Sequence, residues 1–364
     1  MKAVLLIALL IALPLVGIVV AGQPIDRYLE FPPQTRYVQH PPFSWTMFVA
    51  LSVVVAALVV VCVVRTVTAS LSSAPCATRA FPWWGRVGVL CTALFWVLAW
   101  NRFEWFTPFQ AFTFTPLWLG YILAVNAWTY SRTGGCLMLD QPRVLGWLFP
   151  LSGAFWWCFE YLNRFVQNWY YVGAQAMTPW EYFIQASVPF STVLPAVLST
   201  QELLSSFPRI RAGWDRLPPV PAVQVKPAGW LIFALACGGL IGIGIWPNAC
   251  FPLVWVAPLL LITSLQMMTG QETIFFTISR GDWTCLWLFA LAALTCGFFW
   301  ELWNVKSLAH WEYAIPSVHR FRLFEMPILG YAGYLPFGLE CLAVTQFVFG
   351  DRVRHVRPPC TSRT

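Results

Sequence analysis

The chain has 364 residues, of which 59% are hydrophobic and 10% charged, with 22 tryptophans. A soluble domain of this length cannot cover so much apolar surface, so the composition excludes a water-soluble globular protein and points to a helical protein of the lipid bilayer. The formal charge of +7 is dispersed through short loops with no basic block interleaved with aromatics, so no nucleic-acid partner is expected.

The first apolar run, 3–21, follows Met1-Lys2 and precedes Gly22. A short positive start and small residues after the apolar core suit either a signal peptide or a first spanning helix. Its length, close to the roughly 20 residues needed to cross a bilayer, favours a retained helix. Further apolar runs follow at 45–64, 85–100, 112–130, 144–162, 183–204, 229–246, 249–268, 283–303 and 327–349. The expected fold is all-α, a polytopic transmembrane helix bundle of about ten spans.

Charge sets the expected orientation. With the N-terminus inside, 15 Lys and Arg fall in inner segments and 7 in outer ones, which places both termini in the cytoplasm. Residues 1–204 then form an N-terminal membrane half, 205–228 a Pro-rich cytoplasmic linker, 229–349 a C-terminal membrane half and 350–364 a basic tail. The 11 cysteines form no C-x-x-C pair, and no disulfide framework is expected. There is no N-x-[ST] sequon and no large loop, which suits a bacterial inner membrane.

Internal similarity is the most informative pattern. GAFWWCFEYLN (153–163) matches CGFFWELWN (296–304): each ends an aromatic helix in E-x-x-N, as Glu160/Asn163 and Glu301/Asn304. A spacing of three puts both polar groups on one helix face. Each is followed by W-E-Y, at Trp180-Glu181-Tyr182 and Trp311-Glu312-Tyr313, then by a helix with Pro and, 13 residues on, Glu: Pro189/Glu202 and Pro327/Glu340. A fainter copy covers about 95–130, with Trp100-Asn101 matching Trp303-Asn304. Two or three internal repeats (95–130, 153–204 and 296–349) are expected, with their loops outside; chance matching of aromatic-rich interfacial sequence is the competing account. Parallel repeats place a site between copies near their shared polar ends.

Three carboxylates are the catalytic candidates: Glu301, Glu340 and Glu160. Glu340 falls roughly 20 Å inside a hydrocarbon slab of about 30 Å, where an ionised carboxylate is costly unless paired. It is expected either as a proton donor or ligand facing the bundle interior, or as a neutral group bonded to another helix. Glu202 lies nearer the cytoplasmic end. Glu160 and Glu301 sit at outer helix ends; if they converge, their environments can split them into an acid and a base, and otherwise they make helix-end contacts.

Substrate contacts are expected from Asn304, Asn163, Trp311, His310, His319, Arg320 and Arg322, the Arg-x-Arg pair suiting a phosphate or carboxylate head group. His310, Glu312, His319 and Glu325 have metal-capable side chains but no fixed ligand spacing, so no metal or cofactor is expected. P-loop, nucleophile-elbow, Rossmann and haem-attachment motifs are missing from the sequence. Three functions remain open: an enzyme acting on a lipid or isoprenoid-like substrate by acid/base chemistry in an outward-facing aromatic cavity, a proton-coupled transporter or flippase, and a structural subunit of a membrane complex. The expected partner is a membrane lipid or hydrophobic small molecule, or other subunits in the third case.

Overall fold

A computed structural model describes residues 2–69, 79–173, 177–220 and 226–350. All of the basic tail except Gly350, and part of the Pro-rich linker, lie outside the described residues. The longer helices are α1 (Lys2–Val20), α2 (Trp45–Thr68), α3 (Trp83–Trp100), α4 (Phe114–Thr133), α5 (Pro142–Val166), α6 (Pro179–Phe190), α7 (Val193–Ser205), α8 (Lys226–Ile245), α9 (Ala257–Met268), α10 (Thr284–Asn304) and α11 (Tyr334–Phe349).

Among the described residues, seven helical stretches are long and apolar enough to cross a membrane: α1, α2, α3, α6 with α7, α8, α10, and Ile328–Phe349. An eighth joins Pro247–Trp255 to α9 and bends by 56° between them. The protein is therefore a multi-pass integral membrane protein. The count falls short of ten because α4 and α5 are long but more polar. Asn126 on α4, and Ser152, Glu160, Asn163 and Arg164 on α5, are all buried, so these helices hide polar groups from lipid inside the bundle.

The helices pack as membrane helices do, through small residues that let backbones approach. A Cβ on Gly17 of α1 would strike the carbonyl oxygen of Ile241 on α8, and one on Gly244 would strike that of Pro14. Gly338 of α11 meets the backbone of Phe289 on α10 in the same way. At the centre lies α7, with 12 of its 13 residues buried, packed among α4, α5 and α10. Its polar side chains find partners: Thr200 with Tyr121 (2.9 Å), Ser199 with Asn126 (2.9 Å), and Glu202 with the backbone N–H of Leu137 (2.6 Å).

The connections are not all irregular. β1 (Trp169–Val172) pairs antiparallel with β2 (His310–Tyr313), and β3 (Arg322–Leu323) with β4 (Met326–Pro327). WYYV and HWEY are rich in aromatics that favour strands, a tendency hidden when both segments are read as polar loops in an all-α chain. Because α5 and α10 each run into one strand of the first ribbon, their C-terminal ends lie at the same end of the bundle. We refer to this as the ribbon end.

Candidate functional site

The ribbon register fixes which side chains meet the bundle. Trp169 lies opposite Tyr313, Tyr170 opposite Glu312, Tyr171 opposite Trp311 and Val172 opposite His310. Successive side chains alternate between faces, so Trp169, Tyr171, Trp311 and Tyr313 share one face while Tyr170, Val172, His310 and Glu312 share the other.

The first face closes over two carboxylates. Glu160 Oε1 accepts hydrogen bonds from Trp156 Nε1 (2.9 Å), Trp169 Nε1 (3.1 Å) and the Tyr171 hydroxyl (2.6 Å). Glu301 Oε1 accepts from the hydroxyls of Tyr313 (2.6 Å) and Tyr334 (2.8 Å), and Trp311 Nε1 donates to the Tyr313 oxygen (2.9 Å). Both glutamates have 0% exposure. In each, one oxygen gathers all these donors, while the buried Oε2 has no hydrogen-bond partner among the described residues.

The asparagines one turn further on hold the strand backbones. Asn163 donates to the Trp169 carbonyl (2.8 Å) and accepts from the Asn168 N–H (2.8 Å). Asn304 donates to the Trp311 carbonyl (2.7 Å) and accepts from the N–H of the same residue (2.8 Å). Each E-x-x-N therefore ties down one strand twice, Glu by the side chains and Asn by backbone groups that would otherwise be buried without partners. Burial first, and then the adjacent carboxylate, pushes the Tyr171 and Tyr313 hydroxyls above the ordinary tyrosine range. Both are therefore protonated donors at neutral pH.

Glu160 and Glu301 share no hydrogen-bond donor among the described residues. Aromatic rings link their surroundings: Phe337 lies with its ring centroid 5.9 Å from that of Trp156 and 6.2 Å from that of Trp300. The sequence match of Trp180-Glu181-Tyr182 with Trp311-Glu312-Tyr313 is not a structural correspondence. Trp180-Glu181-Tyr182 opens α6, where Glu181 forms a capping box with Thr178, and the segment lying opposite Trp311-Glu312-Tyr313 is Trp169-Tyr170-Tyr171. The shared pattern is W-x-Y, with its Trp six residues after Asn163 and seven after Asn304. Asn101 of the fainter copy bonds back to Val97 of its own helix. Its loop still reaches the ribbon end, where Arg102 donates to the Lys306 carbonyl (2.8 Å).

The remaining candidates lie elsewhere. His310 is on the outward ribbon face, 3.5 Å from Glu312, which also accepts from Tyr170. His319 and Arg320 lie against Phe43, with Arg320 4.5 Å from the ring centroid, and Arg322 pairs with Glu325 at 3.6 Å. None of these side chains bonds to Glu160 or Glu301. Among the described residues, no three His, Cys, Asp or Glu side chains gather as metal donors.

Glu340 has a partner that its position in the chain does not reveal. Its Oε1 accepts the N–H of Leu259 (3.2 Å), in the first turn of α9 just past the bend. That N–H has no acceptor within its own helix, and the positive end of the helix dipole suits a carboxylate. Its Oε2, like those of Glu160 and Glu301, is buried without a hydrogen-bond partner. Sequence reasoning missed Trp156, Trp169, Tyr171, Tyr313 and Tyr334; the W-x-Y spacing after each E-x-x-N could have exposed three of them, Trp169, Tyr171 and Tyr313. Comparison with protein-family models, curated proteins and solved structures finds no match to this chain, so its function has to be read from this geometry.

Proposed function

We propose that this protein is an enzyme of a bacterial inner membrane that acts on a lipid or isoprenoid-like substrate at the ribbon end, with Glu301 as its acid/base group. The observation that carries this reading is the asymmetry of the Glu301 carboxyl. Tyr313 and Tyr334 hold Oε1 while Oε2 is buried with no partner. A carboxyl oriented through one oxygen keeps the other for proton exchange with a substrate oxygen. The surrounding Trp and Tyr rings suit a hydrocarbon chain, and Asn304 and Trp311 fix the roof above it. Glu160 is the equivalent group in a second copy of the same unit, on the reading that 153–204 and 296–349 are repeats. The excess of Lys and Arg in alternate loops supports an outward-facing ribbon end and cytoplasmic termini.

The test uses purified protein in nanodiscs supplied with a bacterial polar-lipid extract, with products followed by mass spectrometry. The wild type is expected to generate a product that Glu301→Gln does not, with both proteins equally folded. Equal conversion by the two would overturn the reading.

A second reading, a proton-coupled transporter, is favoured by one observation: the 56° break before α9 with Glu340 at the bend. Broken helices with an acid at the break are a feature of transporter sites. Uptake into proteoliposomes that depends on a pH gradient and is lost in Glu340→Gln would support it, and gradient-independent uptake would remove it.

A further inference from the structure

The two E-x-x-N units differ one helical turn before the glutamate. In α5 that place is held by Trp156, whose indole donates to Glu160 Oε1 (2.9 Å). In α10 it is held by Gly297, which has no side chain to offer. The ring of Tyr334, the first residue of α11, lies there instead: a Cβ on Gly297 would collide with its Cδ2 and Cε2 atoms. The close approach therefore requires glycine, and the Tyr334 hydroxyl donates to Glu301 Oε1 (2.8 Å). A residue four positions back shares the helix face of the glutamate, so Trp156 and Tyr334 fill corresponding places in the two units.

The two partners are seated differently. Trp156 packs against three buried rings, with centroids 5.8 Å from Phe159, 5.9 Å from Phe337 and 6.0 Å from Phe190. Tyr334 has Trp300 at 5.8 Å and Tyr331 at 6.0 Å as ring neighbours. Tyr331 belongs to the turn Ile328–Gly333, in which no residue is buried, and its hydroxyl donates to the Leu323 carbonyl (3.2 Å) on the exposed strand β3. Beside Trp156 stands the core; beside Tyr334 stands an open turn.

The donors differ in kind as well. Glu160 Oε1 gathers two indole N–H groups and one phenol, whereas Glu301 Oε1 accepts from two phenols. An indole can only donate, while a phenol hydroxyl both donates and accepts. The seat of Tyr334 is also set from outside α10. Four residues on, Gly338 of α11 meets the backbone of Phe289 on α10, so the two helices are keyed together at two glycines, one on each. Trp156 needs no second helix to bring it to Glu160, because α5 carries both.

We propose that of the two matching carboxyls only Glu301 meets substrate, and that Tyr334 is its positioning residue, seated on the floor left by Gly297 with the turn Ile328–Gly333 as the approach. This rests on the enzyme reading above and narrows it to a single reaction centre. Glu160, tied to its own helix and to β1 by three donors, then serves to hold the ribbon.

The test treats the full chain in nanodiscs with dicyclohexylcarbodiimide and follows the Glu301 and Glu160 adducts by peptide mass spectrometry. The Glu301 adduct is expected to form about tenfold faster, the equivalent of one fewer donor on the carboxylate. Tyr334→Phe should raise the Glu301 rate about tenfold further and leave Glu160 unchanged, because the reagent takes the protonated carboxyl and a hydroxyl donor favours the charged one. Gly297→Ala, which evicts the same ring, should act alike and add nothing in the double variant. Trp156→Phe should move Glu160 alone. In the lipid-conversion assay, Tyr334→Phe should lower kcat and leave KM unchanged. Equal labelling of the two glutamates in the wild type would overturn the proposal, as would a Glu301 rate indifferent to Tyr334→Phe or a rise in KM alone. Wild-type conversion by Glu301→Gln would instead remove the enzyme reading, so the two failures are distinguishable.

Discussion

Tyr313 and Glu301 are 12 positions apart in the chain and 2.6 Å apart in space, and Tyr171 stands to Glu160 in the same way across 11 positions. In both cases a helix ends in a buried carboxylate, the chain turns, and a strand brings a phenol back over it. Asn304 and Asn163 bind the backbone of the returning segments. The ribbon is therefore fastened to α10 and α5 by polar contacts that bulk water is not there to replace.

Asn304→Ala should destabilise the protein strongly. It removes both partners of the Trp311 backbone groups, and each buried group left unpaired costs about 1–3 kcal/mol. Thermal unfolding in detergent should show a clear fall for this variant and for Asn163→Ala. Asn101→Ala should be close to wild type, because Asn101 is exposed and bonds only to its own helix.

Tyr171→Phe and Tyr313→Phe each delete one hydroxyl donor to a different carboxylate. Each should lower stability by about 1–3 kcal/mol, and because the two glutamates share no donor, the effects should add to within about 0.5 kcal/mol. A double-mutant cycle measures this. A larger coupling energy would mean that the two carboxylates act as one unit.

Glu340 caps the first turn of α9, which predicts a difference between two substitutions. Glu340→Gln keeps a carbonyl oxygen for the Leu259 N–H, whereas Glu340→Leu strands that donor at a cost of about 1–3 kcal/mol. The Leu variant should therefore unfold at the lower temperature, and a Leu variant as stable as Gln would show that the cap contributes nothing.

The outward ribbon face should respond to alkali. Burial first, and then bonding to Glu312, raises Tyr170 from 10.0 to about 12. A folded-state value above the unfolded one means that its contribution is complete below pH 10 and is lost as pH climbs through about 12. In a tyrosinate absorbance titration, Tyr170→Phe should remove a late-titrating component. An unchanged late component would contradict the contact.

Much of this architecture can be read from the chain, but only in part. The apolar runs locate nearly every long helix, because lipid demands length and apolarity. Two of the expected spans, α4 and α5, are more polar than the other long helices, because Asn126 and Glu160 are hidden by tertiary packing that no local pattern records. E-x-x-N was legible as a helix face, yet its partners were not, because strand pairing across 142 positions is a non-local event. W-E-Y drew attention by letter identity, whereas Trp169-Tyr170-Tyr171 has only the alternation that the ribbon uses. The partner of Glu340 is a first-turn backbone N–H just past the bend that precedes α9, and a backbone group has no sequence signature.

In the proposed chemistry Glu301 has one tethered oxygen and one left to react with a lipid-borne group. Treatment of the reconstituted protein with a hydrophobic carbodiimide, followed by peptide mass spectrometry, tests this directly, because the reagent reaches carboxyls from the lipid phase. The proposed chemistry predicts modification of Glu301 ahead of the buried Glu202, which lies at the other end of the bundle. Glu301 left unmodified while Glu202 reacts would contradict it.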